Sequence, residues 1–280
     1  MTRINYRPDE LIPYINWIYF HHTWNTPPAT PEAAQLRDEA THLLLRLQPY
    51  LTIRAAVDIL PAYSDGDDII LLKTTTCPCG CHQPIRRPIR LPMLRQQHPG
   101  SDGHCLCLSD YIRPLVTTPR DHIGIFATTV HLHPQQHLPT DEYTTMLLQT
   151  SMDRLAEAAA ERLHQQVRTT IWGYAPDENL TIPQLHKEHF QGIRPAVGYP
   201  CLPDISINRI IDTILDLKSI GITLTTSAMM QPHASVSGLM ISLPQARYFS
   251  IGQIDQTQLE DYARRRNMST EEIKRYIPCC

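Results

Sequence analysis

Proline occurs 24 times and glycine only 11 times in the 280 residues, and the prolines run through the whole chain. Each proline fixes φ near about −65° and removes a backbone donor. Regular elements must therefore be short and joined by stiff, extended connections. The hydrophobic share of 42%, against 19% charged residues, supplies a sizeable core and excludes disorder. A net charge of −3, with Lys and Arg scattered, excludes a basic face for nucleic acid. No apolar run approaches the roughly 18 residues that mark a membrane span. The first ten residues lack the basic-then-apolar layout of a secretory signal, so a cytoplasmic location is expected. In that reducing compartment the eight cysteines read as thiols or metal ligands rather than disulfides.

Between the prolines the pattern predicts short elements. Residues 9–24 read as one apolar and aromatic helix. Thr30-Pro31-Glu32 is a helix start, with a Thr cap, Pro at the first position and an acid in the first turn; that helix runs to about Leu47. Residues 53–60, 68–76 and 123–133 read as strands, and Thr140 as the cap of a long helix reaching about Arg168. Ile207, Ile210, Ile211 and Ile214 form one helix face, closed by Gly221. Residues 224–229, 238–243 and 248–254 read as strands. Asp255-x-x-Gln258 and Ser269-x-x-Glu272 open two last helices. Regular periodicity disappears over 77–103. Strands and helices without regular alternation predict an α+β fold, with a largely antiparallel sheet and flanking helices, as one unit over 1–280. No Gly-x-Gly-x-x-Gly occurs, so the glycine-rich turn of dinucleotide and related nucleoside sites is missing.

Gln191-Gly-Ile-Arg-Pro-Ala-Val-Gly-Tyr-Pro-Cys-Leu-Pro-Asp204 is the most informative stretch. Its three prolines and two glycines predict an extended backbone whose polar groups lack partners in regular structure. Arg194 offers a planar fork for a carboxylate, and Tyr199 a ring plus a hydroxyl. Two readings stand on composition alone: a ligand-binding strip, or a proline-rich connector with a surface arginine.

Arg194-Pro-x-x-Gly-Tyr-Pro200 resembles the signature of the activation domain of cobalamin-dependent methionine synthase. Neighbouring stretches agree in order: Tyr14-Ile-Asn-Trp17, Gly66-Asp-Asp68, Leu94-Arg-Gln-Gln97 and Trp172-Gly-Tyr-Ala-Pro-Asp-Glu-Asn-Leu180 before it, and Glu188-x-x-Gln-Gly-Ile-Arg194 leading into it. Ala234-Ser-Val-Ser-Gly238, Tyr248-Phe-x-Ile-Gly252 and Glu260-Asp-Tyr-Ala-Arg-Arg265 follow. The resemblance implies a helmet-like domain that holds S-adenosylmethionine in a shallow groove. It also implies reductive methylation of cob(II)alamin, with cobalamin on a partner subunit of a split synthase and an electron from flavodoxin or a similar donor. By the same resemblance, Arg194 holds the ligand carboxylate and Ala196 and Tyr199 line the adenosyl end. Tyr248 and Phe249 close the groove, and Glu157 and Glu188 add polar contacts. The implied role is that of a methyltransferase subunit with no catalytic acid or base of its own, because a sulfonium methyl needs only positioning toward its acceptor.

The chain departs from the family at several positions. Asn16 stands where the family has an Asp that meets the ligand's amino group, a lost charge worth about 1–2 kcal/mol. Ile205 stands in place of a His, and Thr226-Ser227 and Met230-Gln231-Pro232 replace the family's Glu-Ser and Met-Trp-Pro. A second constellation lies outside the resemblance: Cys77, Cys79, Cys81 and His82, then His104, Cys105 and Cys107. Zinc would accept four such ligands, although Cys-x-Cys is tighter than the usual knuckle, and a reduced Cys-rich hairpin is the alternative. These features leave two other functions open: a metal-binding or redox-sensing adaptor that keeps the fold, and a reactivator of another corrinoid methyltransferase.

Overall fold

A computed structural model describes residues 1–76, 84–100, 103–117, 120–133 and 141–277. Its frame is an antiparallel sheet of β1 (Thr2–Tyr6), β2 (Leu51–Asp65), β3 (Asp68–Thr76), β4 (Pro84–Pro92), β5 (Asp121–Leu132) and β8 (Ser235–Met240). The order is β4-β3-β2-β5-β8, with β1 alongside β2. Two short strands, β6 (Thr223–Leu224) and β7 (Met230–Gln231), pair separately. Helices are α1 (Pro8–Leu11), α2 (Trp17–Thr23), α3 (Pro31–Leu47), α4 (Glu142–Gln166), α5 (Ile182–His186), α6 (Ile207–Leu215), α7 (Gln256–Arg266) and α8 (Thr270–Lys274). This is the expected α+β class.

β2 and β5 carry apolar side chains on both faces because helices cover both. Ile53, Ala55, Val57, Phe126 and Val130 pack under α3 and α4. Ala56, Leu60, Ile123, Ile125 and Ala127 meet α6 through Ile207, Ile211 and Ile214. A third cluster, with Leu259, Tyr262 and Ile273, seats α7 and α8. Among the described residues no helix is long and apolar enough to cross a membrane.

Several boundaries differ from the sequence reading, each for a local reason. The stretch expected as one helix over 9–24 is broken: α1 passes into a 3-10 turn over Ile12–Tyr14, and α2 restarts at the Asn16 cap. The cap of α4 is Asp141, whose carboxylate accepts from the Thr144 amide at 2.7 Å; Thr140 lies outside the described residues. Asp216, with φ 49°, ends α6, and Gly221 ends the 3-10 turn that follows. Residues 248–254 form no strand, since their neighbour is the irregular Pro200 turn, reached by the Ile251 amide at 2.9 Å. β4 was expected to be irregular. It pairs with β3 through Pro84, Pro88 and Pro92, set every fourth residue, so their missing donors share the outer edge where none is needed.

Candidate functional site

The 191–204 stretch is laid along β8. Ile193 and Ile241 exchange amide hydrogen bonds at 2.9 Å; the Leu239 amide donates to the Pro195 carbonyl at 2.9 Å, and the Val197 amide to the Ser237 carbonyl at 2.9 Å. The expectation of an unpaired strip is thus corrected for its inner edge. This close pairing needs glycine at two points. A Cβ on Gly238 would stand 2.2 Å from the Pro195 carbonyl oxygen, and one on Gly192 would stand 2.2 Å from that of Ile241. At Gly198, φ 88°, the chain turns back, its amide donating to the Leu202 carbonyl at 2.8 Å.

Alternation along an extended strip sends every second polar group outward. The Arg194 amide donates to the Tyr248 hydroxyl at 2.9 Å. The Arg194 carbonyl and the Ala196 amide find no partner among the described residues. The outer edge is therefore open, with Ala196 half-buried against the core beneath.

Helix α4 forms the facing wall. Glu157, Glu161, His164 and Arg168 follow at helical spacing, and the first two face the strip. The Arg194 guanidinium donates through Nη2 to Glu161 Oε2 at 2.9 Å, a pair whose side chains are 13% and 12% exposed. The Tyr199 hydroxyl donates to Glu157 Oε1 at 2.7 Å. Burial works against the Arg194 charge, but the field of Glu161, then Tyr248, Glu157 and Tyr199, outweighs it and holds its pKa above the usual value. Burial and, secondarily, the Glu157 carboxylate raise the Tyr199 hydroxyl well above the ordinary phenol range, although half of the ring surface remains in solvent. The Tyr248 hydroxyl, chiefly through burial, is pushed up to about 12. Glu188, in the left-handed region at φ 56°, is raised above the usual 4.5 by burial and then by Glu161, with Arg194 opposing.

Beneath this layer lies a support built on the fully buried His164 and Arg168. His164 meets the Phe190 ring edge-on at 4.9 Å, and its Nε2 lies 3.4 Å from the Tyr174 hydroxyl. Burial, Arg168 and Arg194 hold its pKa well below 6.5, so the imidazole is neutral. Arg168 stacks over Phe190 at 4.2 Å and pairs with Glu178 through two hydrogen bonds at 2.6 and 2.7 Å. Residues 172–178 therefore act on the site through its foundation.

The structure brings Glu157, Glu188, Arg194, Ala196, Tyr199 and Tyr248 together. Asn16 caps α2, its Oδ1 accepting from the Ile18 amide at 3.2 Å; Tyr14, two residues earlier, docks on α4 by donating to Gln165 Oε1 at 2.8 Å. Phe249 turns inward, its ring 6.3 Å from that of Tyr111 and edge-on to it. Sequence reasoning missed Glu161. The available signal was two acids one helical turn apart, Glu157 and Glu161, on a helix rich in buried Ala and Leu. A cavity of about 320 Å³ adjoins the Tyr199 end, between Gly198–Pro200 and Ser250–Ile254.

The cysteine constellation is only partly within view. Cys77, Cys79, Cys81 and His82 lie outside the described residues. Of the others, His104 is exposed, Cys105 half-buried and Cys107 fully buried. The Ser109 hydroxyl donates to Cys107 Sγ at 3.2 Å, and burial pushes that thiol up to about 11. In this structure Cys107 packs in the core, its thiol held protonated by burial. Among the described residues no three His, Cys, Asp or Glu side chains are placed to hold a metal ion.

Two comparisons with known proteins agree. A family model described as the activation domain of vitamin B12-dependent methionine synthase matches residues 8–267. A solved MetH reactivation domain bound to AdoHcy is 35% identical over 98% of this chain and 88% of that one, with a TM-score of 0.85.

Proposed function

The chain belongs to the family of vitamin B12-dependent methionine synthase activation domains, and from that premise we propose that it binds S-adenosylmethionine along the open edge of the 194–199 strip and supports reductive methylation of cob(II)alamin. The observation that carries this reading is the strip itself: paired with β8 on one edge, free at the Arg194 carbonyl and Ala196 amide on the other, and bearing a guanidinium. The solved relative's AdoHcy is this ligand's demethylated form, which supports the same ligand class here. Residues 1–280 work as one unit in the cytoplasm. The cobalamin sits on the cobalamin-binding module of the synthase, since residues 1–280 contain no Asp-x-His-x-x-Gly of the cobalamin-binding kind. When carried by that module, cobalamin would supply the nucleophilic cobalt, with a flavodoxin-type donor as the source of the electron.

The chain's own contribution is positioning. Arg194 takes the ligand's carboxylate, and the Ala196 amide is a main-chain donor for its polar edge. Tyr199, held by Glu157, lines the adenosyl end beside the cavity at Ser250–Ile254. Tyr248 is fixed over the strip by the Arg194 amide, and Phe249 anchors that segment in the core. The carboxylates of Glu157, Glu161 and Glu188 against one guanidinium leave an excess of negative charge that suits a sulfonium. The role is thus methyl donation, with the reactive methyl turned out toward the corrin. The test mixes the protein with a cobalamin-carrying synthase lacking its own activation domain, a one-electron donor and S-adenosylmethionine. Conversion of cob(II)alamin to its methylated form is expected in the visible spectrum; no conversion with all components present defeats the proposal.

A pH dependence follows from Glu188. Its pKa is raised in the free protein, and a cationic ligand favours its ionised form, so binding releases a proton. Affinity is full above the raised pKa and falls as the pH drops through it. Calorimetry from neutrality toward the ordinary glutamate range is expected to show a rising dissociation constant, which Glu188→Gln flattens. An unchanged profile in that variant contradicts this assignment.

A further inference from the structure

The Arg194–Glu161 pair is only half satisfied. Glu161 uses Oε2 to accept from Arg194 Nη2 at 2.9 Å, while its Oε1 is buried without a partner among the described residues. Arg194 Nε is likewise buried without a partner among the described residues. Buried polar atoms are paired in nearly all native structures, so an orphaned acceptor beside an orphaned donor marks a place where a ligand completes the network. An amino acid head has the matching shape: an ammonium and a carboxylate on one carbon, presenting donors and acceptors side by side. Among the described residues Glu188 also faces Arg194, but only Glu161 is hydrogen-bonded to its guanidinium. Glu157 has one oxygen committed to Tyr199, and Asn16 is neutral, with its oxygen committed to the Ile18 amide.

Resting on the proposed function, we infer that Glu161 accepts the α-ammonium group of S-adenosylmethionine and at the same time orients Arg194 for the carboxylate. The ligand then lies in one direction along α4. Its amino acid end sits at Glu161 and Arg194, and its nucleoside end sits one turn earlier, at Glu157 and Tyr199, roughly 6 Å along the helix axis. The same placement makes a charged acceptor available although position 16 is an amide.

Calorimetry on the full chain tests this with three ligands: S-adenosylmethionine, its decarboxylated analogue, which keeps the ammonium, and 5′-methylthioadenosine, which has neither group. Glu161→Gln is expected to weaken the first two by about tenfold or more and to leave the third unchanged. A residue that only positioned Arg194 would not affect the decarboxylated ligand, so normal binding of that analogue by Glu161→Gln overturns the inference, as does unchanged binding of S-adenosylmethionine. Should Glu161→Gln fail to fold, the double variant Arg194→Gln with Glu161→Gln removes both charges. It must then bind the decarboxylated ligand at least tenfold more weakly than Arg194→Gln alone, and equal binding overturns the inference. Failure of the wild type to bind S-adenosylmethionine is a separate outcome: it defeats the proposed function on which this inference rests.

Discussion

Arg194→Ala is expected to weaken S-adenosylmethionine binding by about 100-fold, which corresponds to roughly 2.7 kcal/mol. Two losses combine. The ligand carboxylate loses a charge-assisted fork. The Glu161 carboxylate, 12% exposed, also loses its cation and repels what remains of the anionic ligand end. Removing one member of a largely buried ion pair costs about 3–5 kcal/mol of stability in well-buried cases, so a lowered melting temperature accompanies the lost affinity. Arg194→Lys separates the two effects. It keeps the charge that balances Glu161 but not the planar fork, so it should melt near the wild type while binding about tenfold more weakly. If Arg194→Ala binds normally, the carboxylate lies elsewhere and the orientation along α4 is wrong.

Gly238→Ala is expected to lower stability by about 2–3 kcal/mol and to reduce ligand binding far more than an equally destabilising change elsewhere. The added Cβ would meet the Pro195 carbonyl oxygen at 2.2 Å, the Ala196 Cα at 2.9 Å and the Phe126 ring at 2.9 Å. Two of these three are backbone, and Phe126 is fully buried, so no flexible side chain can yield. The strip must lift from β8 at the point that sets Arg194 and Ala196. A melting temperature lower by roughly 5–10 °C is the corresponding shift for a chain of this size. Gly66→Ala is the control. Its φ of 60° is strained for a side chain, but no atom lies within 4 Å of the new Cβ, so a loss of about 1–2 kcal/mol should leave binding unchanged. Normal binding by Gly238→Ala means that the strip's seat on β8 does not set the site.

Much of the fold was legible in local chemistry. Thr30 accepts from the Ala33 amide, Asp255 from Gln258 and Ser269 from Glu272, each as its spacing predicts, because a cap is decided within four residues. The central strands were legible because β-branched runs bounded by turn residues have few other uses. β4 was not, since proline suppresses the strand signal and only knowledge of the neighbouring strand shows that the missing donors face outward. The seat of the 191–204 stretch on β8 was hidden for the same reason: pairing through Ile193, Pro195 and Val197 depends on two distant glycine contacts with no local signature. Within the site, Arg194 and Tyr199 stood out because their loop had no structural excuse for its composition. Glu161 did not, because an acid on an amphipathic helix reads as solvated until the strip is placed against it.

The account rests on an open, guanidinium-bearing strip edge that grips an adenosyl sulfonium. Calorimetric titration of the wild-type chain with S-adenosylmethionine tests it most directly, alongside Arg194→Ala under the same conditions. The account predicts a single saturable site in the wild type that is weakened about 100-fold in the variant; no saturable heat in either protein at millimolar ligand contradicts it.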